Sequence, residues 1–172
     1  MNPSTILFLC DDNAACSLMA EAIVNAAGAR HLKAFSAGFE PAKVADPHAM
    51  EIIAQAGIRA RGLRPKPLTE FAGPPPVKFC YAINLATRSR PELAGLAGET
   101  CLLHWPVADR PFGAGFGASR KAELLDLFAE IRQLCESMFL RPARTSAQKQ
   151  TIHRVLDRSE SRRSELTVEE HC

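Results

Sequence analysis

Two short runs, Thr5–Cys10 and Val77–Ile83, are apolar almost residue by residue, and helical patterns lie between and after them. A strand with one face in water alternates polar and apolar side chains; continuous hydrophobicity over five to seven residues is the mark of a strand covered on both faces. Two weaker runs, Leu32–Ser36 and Thr100–His104, complete a set of four. The helical segments have their own punctuation. Ser17–Ala27 places Leu18, Ala22, Ile23 and Ala26 on one face and stops at Gly28. Asp46–Ala56 opens with a capping Asp and Pro47, and Gly57 closes it. Ser119–Phe139 spaces Leu124, Phe128, Ile131, Cys135 and Met138 by three and four. This alternation predicts an α/β domain: an open, mostly parallel four-stranded sheet with helices on both faces, over residues 1–140.

Two proline clusters, Arg64-Pro65-Lys66-Pro67 and Gly73-Pro74-Pro75-Pro76, read as extended connectors. The stretch 109–117, with Pro111 and three glycines, reads as a loop. Beyond Met138 the sequence turns polar. Residues 141–172 hold 7 Lys/Arg against 5 Asp/Glu, so this segment carries the whole net charge of +2 while residues 1–140 are balanced. It is expected to be a partly disordered or weakly helical extension; Ile152, Val155 and Leu156 form a weak face through which a protein partner could dock. The charge is too small to indicate nucleic acid. No run reaches the length of a membrane span and the start lacks a signal pattern, so a cytoplasmic protein is expected. The six cysteines show no CxxC spacing, which argues for reduced thiols and no metal site, and no cofactor is implied.

The chemistry centres on Cys10-Asp11-Asp12-Asn13-Ala14-Ala15-Cys16-Ser17, between the first strand and the first helix. Ligands of open parallel sheets bind at the carboxyl ends of strands, and a loop there aims backbone N–H groups at its own centre. A cysteine at its mouth is placed as a nucleophile with a lowered pKa would be. A small buried thiol fits the position as well.

This segment, with Ala20-Glu21-Ala22 after it, resembles the opening of low-molecular-weight protein tyrosine phosphatases and thioredoxin-linked arsenate reductases. Ser36-Ala37-Gly38, Val44 with Pro47 and Ala49, Gly57-Ile58, Leu68-Thr69-Glu70-Phe71, and His104-Trp105 with Asp109 match further pieces in order, covering about residues 4–139. The resemblance implies that fold, Cys10 as nucleophile, the loop 11–17 as oxyanion cradle and Asp109 as general acid, although local pairing of Asp109 with Arg110 is an equally ordinary role. In the arsenate reductase branch it also implies Cys80 as the first resolving cysteine and a thioredoxin-type reductant as partner. The second resolving position is Thr87, so the relay is incomplete, and Cys16 could stand in as partner of Cys10. Cys101 and Cys135 are expected in the core, Cys172 is a terminal thiol, and His104 reads as structural.

The family signature is a cysteine, five residues, an arginine, then Ser or Thr. Here Cys16 stands at the arginine and Asp12 at the glycine before the asparagine. The arginine grips two oxygens of the anion and neutralises charge in the transition state. Its loss, with two aspartates gained, predicts a pocket of the right frame and the wrong charge. Three functions follow: a divergent member with oxyanion turnover lost or impaired and a binding or regulatory role; an active arsenate reductase or phosphotyrosine phosphatase using Cys10; or a thiol redox sensor.

Overall fold

A computed structural model describes residues 3–28, 31–86, 96, 100–105, 107 and 118–140. Asp109, Arg110, Thr87, the loop 109–117 and the extension 141–172 lie outside the described residues. Four strands, β1 (Ser4–Cys10), β2 (Leu32–Gly38), β3 (Tyr81–Asn84) and β4 (Cys101–His104), form one sheet in the order β2-β1-β3-β4, every pair parallel. Among the described residues three α-helices, α1 (Cys16–Ala26), α2 (Pro47–Gln55) and α3 (Ala118–Cys135), follow β1, β2 and β4, and α3 runs into a π-helical turn at Glu136–Leu140. The expected α/β class and parallel four-stranded sheet are the observed ones; of the helices expected on both faces, the three α-helices share one core cluster and, among the described residues, a 3-10 helix lies on the other face.

Strand β1 shows why its run is continuously apolar. Ile6, Phe8 and Cys10 join the core beneath the three α-helices, with Met19, Ile23, Ile52, Leu124 and Ile131. Leu7 and Leu9 join a second cluster with Ala37, Phe79 and Ala82 on the opposite face. Among the described residues that face is covered by the 3-10 helix Leu68–Phe71 and the chain leading into β3. There Phe35, Phe71 and Phe79 meet edge to face in a triad with centroids 5.5–5.8 Å apart, a preferred aromatic geometry.

The third strand is shorter than its apolar run. It begins at Tyr81, not Val77, where both of its ladders begin: Tyr81 lies opposite Ile6 of β1 and Cys101 of β4. Residues without a ladder remain extended but are not sheet. Cys80 therefore precedes β3, beside Thr5, whose carbonyl accepts from Cys80 N at 2.9 Å.

Candidate functional site

The loop from Cys10 to Ser17 is shaped by where its carbonyls go. The carbonyls of Cys10, Asp11, Asp12 and Ala14 accept from the amides of Phe39, Glu40, Ala42 and Asp46 at 2.8–3.2 Å. With its carbonyls drawn outward to the β2–α2 connection, the loop turns amides inward. Asn13 N donates to Cys10 Sγ at 3.2 Å. Two backbone requirements make this possible. Asn13 sits at φ +49°, a left-handed conformation that Asn tolerates better than most residues. Gly38 lies against the loop so closely that a Cβ there would stand 3.0 Å from Asn13 Cβ, Asn13 N and Asp12 C.

A buried polar network fixes the underside. Asn13 Nδ2 donates to Ser17 Oγ (2.7 Å) and Ser36 Oγ (2.9 Å), while its Oδ1 accepts from Lys66 N at 2.9 Å. Ser36 Oγ donates to Glu21 Oε2, which also pairs with Lys66 Nζ at 3.0 Å. Glu21 and Lys66 escaped the sequence reading as site residues. Lys66 is the one cation between two prolines, and that local oddity was its only signal.

Cys10 ends β1 on the helix face, 6% exposed, with Sγ 2.8 Å from Ser17 Oγ in the first turn of α1. Burial pushes its thiol up to about 11, and the nearby Asp12 carboxylate adds to this; bonds from Ser17 and Asn13 oppose it without winning. The expected lowering by the helix end is thus overridden by desolvation. Cys16 opens α1, 7% exposed, and burial drives its thiol higher still, with Cys10 adding to the effect and Arg120 working against it. Ala14 and Ala15 are buried beside it.

Asp11 and Asp12 both lie at the surface. The carboxylate of Asp12 turns back: its Oδ1 accepts from Ala14 N at 3.0 Å and lies 3.8 Å from Cys10 Sγ. An inward-facing amide of the cradle is thereby engaged by the chain's own anion.

Two cations flank the loop among the described residues, and both are committed. Lys66 is held by Glu21 below. Arg120, in the first turn of α3, donates from Nε and a terminal nitrogen to Asp46 Oδ2 at 3.2 and 3.1 Å. Asp46 also caps α2 through the amides of His48 and Ala49, and its own amide donates to Ala14 O. No local signal linked Arg120 to a partner 74 positions away.

The other cysteines are dispersed. Cys80 is exposed at the amino end of the sheet. Its neighbour Thr5 and Cys10 are five positions apart on β1, a strand span of about 16 Å. The structure does not bring Cys80 to Cys10, and it corrects the placement of Cys80 on the third strand. Cys101, expected in the core, is exposed because it opens the edge strand β4. Cys135 is buried in α3 as expected. His104 bonds through Nε2 to Ala86 O at 2.8 Å, a structural contact. No group of three His, Cys, Asp or Glu that could hold a metal is present among the described residues. No described helix is long and apolar enough to cross a membrane.

Residues 5–76, from β1 through the loop, β2 and α2, match the family model for low molecular weight phosphotyrosine protein phosphatase. Solved structures similar in fold include an arsenate reductase in its phosphate-binding state, at TM-score 0.60 and 19% identity over 78% of this chain and 95% of that one. The thioredoxin-dependent arsenate reductase of Corynebacterium glutamicum is similar at TM-score 0.53 and 21% identity, over 81% of this chain and 63% of that one. An arsenate reductase of Archaeoglobus fulgidus is similar at TM-score 0.54 and 23% identity, over 75% and 97%. Among curated proteins, none matches the sequence.

Proposed function

We propose that this member of the phosphatase and arsenate reductase family has lost most or all oxyanion turnover and serves a binding or regulatory role on the retained scaffold. One observation carries the reading: where the family arginine stands, this loop has the buried, uncharged Cys16, and the Asp12 carboxylate already accepts a cradle amide. Removing one partner of a desolvated charge pair costs about 2–5 kcal/mol in binding. Losing a transition-state donor costs roughly 10²–10³ in rate. Neither flanking cation offsets this, because Arg120 and Lys66 each satisfy a carboxylate of their own. With burial pushing its pKa up to about 11, Cys10 is held as the neutral thiol at pH 7, the form that is not the nucleophile.

The test is a melting curve in tens of millimolar phosphate, arsenate or vanadate. A ligand that binds the folded state raises the melting temperature by mass action, so the expected curve is flat and a clear rise overturns the proposal. The enzyme reading, with Cys10 as nucleophile, Asp109 as acid and a thioredoxin-type reductant, requires turnover of arsenate or an aryl phosphate that vanishes in Cys10→Ser. The regulatory reading sets the protein in a reducing cytoplasm, with the extension 141–172 as the surface for a protein partner.

A further inference from the structure

The two outer strands of the sheet are finished differently. On β2, backbone groups that face away from β1 find partners within the described chain. The Asn25 side chain, reaching over from α1, accepts from Ala34 N and donates to Ala34 O, both at 3.0 Å, and Lys66 O accepts from Gly38 N at 2.9 Å. Such contacts blunt an edge that would otherwise template a further strand. On β4 the pattern is open. Cys101 N and the following Trp105 N donate inward, to Cys80 O and Asn84 O at 3.0 and 2.9 Å. Successive amides of a strand alternate in direction, so those of Leu102 and His104 point outward. Among the described residues nothing pairs with them. Leu102 is 48% exposed, and the strand Cys-Leu-Leu-His carries neither the proline nor the lysine that guards many natural edges.

The described chain ends beside this edge. The Phe139 ring packs 5.6 Å from Tyr81, which lies opposite the first residue of β4, and 6.2 Å from Trp105, which follows its last. We propose that the segment 151–156 of the extension pairs with the outer edge of β4 as a fifth strand and covers Leu102. Residues 141–150 can reach up to about 35 Å when extended, more than twice the roughly 13 Å length of β4. Within 141–172 this is the one stretch with three large apolar residues in five positions, Ile152, Val155 and Leu156. Thr151, Ile152 and Val155 are β-branched, the type that suits a strand. A helix seated there would cover the Leu102 side chain and still leave the two outward amides to water. Main-chain pairing satisfies both, as in strand addition to an exposed sheet edge. The inference holds whether or not the loop binds an anion.

The experiment is residue-resolved amide exchange by NMR on the full chain, run at a low and a high protein concentration. The Leu102 and His104 amides should exchange slowly, at the same rate in both samples, and carbon shifts over 151–156 should be those of a strand. Ile152→Asp combined with Val155→Asp should speed exchange at Leu102 and His104 by on the order of 10-fold or more. The Leu103 amide, which points inward, should keep its rate, and this separates loss of the edge pairing from a general loosening. Fast exchange at both amides in the parent, helical shifts over 151–156, or protection untouched by the double variant overturns the proposal. Protection that grows with concentration overturns it too, because a second copy of the chain would then be the occupant of the edge.

Discussion

At position 38 the chain has no room for a single methyl group. A Cβ there would stand 3.0 Å from three atoms of the Asp12–Asn13 turn, two of them backbone. Gly38→Ala is therefore expected to cost about 1–3 kcal/mol, as overpacking does, and to loosen the loop; a melting temperature within a degree of the parent would contradict this. Cys16 and Asp12 make the complementary prediction. Cys16→Arg alone returns a guanidinium to a cradle whose Ala14 amide still serves Asp12. Paired with Asp12→Gly it should restore phosphate-dependent thermal stabilisation and raise aryl phosphate hydrolysis by roughly 10²–10³ over the single variant's parent. If the double variant stays inert to phosphate, the defect lies elsewhere than in these two residues. Cys16 and Asp12 were legible as departures from a pattern. The inward turn of the Asp12 carboxylate was not, because it depends on a local side-chain-to-backbone bond that competes with an equally accessible outward rotamer.

Elements were legible where hydrophobicity and punctuation agreed. The run Ile6–Cys10 could only be a doubly covered strand, and Asp46-Pro47 could only start a helix. Boundaries failed where they depend on a neighbour: β3 is the four residues laddered to both β1 and β4, and Cys101 is exposed because β4 takes the edge among the described residues. Contacts between elements were hardest to foresee. Asp46 joins three of them, capping α2, donating its amide to the loop at Ala14 and receiving Arg120 from α3. Asp46→Ala should lose about 0.5–2 kcal/mol for the cap alone, and Asp46→Asn, which can still cap, should lose less; equal losses would mean that the Arg120 pair, not the cap, dominates. The Lys66–Glu21 pair links the β2–β3 crossover to α1 with both side chains largely buried. Lys66→Met would strand the Glu21 carboxylate and is expected to cost about 3–5 kcal/mol, most of it recovered when Glu21→Leu is added. Recovery in the double variant, read from denaturant midpoints, separates a buried-charge penalty from simple loss of packing.

Across the whole molecule, three thiols share one electrostatic fate. Cys10, Cys16 and Cys135 lie in the same core, and burial is the largest cause of the rise in each: Cys10 to about 11, Cys135 to about 12, Cys16 further still, all from an ordinary 9.0. In the unfolded chain these thiols lose their protons near pH 9, while the folded chain retains them well above it. Above pH 9 the native state binds more protons than the unfolded state, so stability must fall as pH rises. The contribution is complete below pH 9 and is withdrawn through about 11 for Cys10 and about 12 for Cys135. Each thiol supplies a slope of about 1.4 kcal/mol per pH unit within its window. Denaturant unfolding between pH 8 and 10.5 should therefore show a decline steeper than lysine and tyrosine titration alone would give. Cys135→Ala isolates the effect, because it removes one thiol far from the loop and should flatten the decline by one proton's worth whatever it costs at pH 7. An unchanged slope in that variant would mean that the buried thiols ionise together with the exposed ones, and the packed sulfur core inferred here would have to be more open to water than its burial implies.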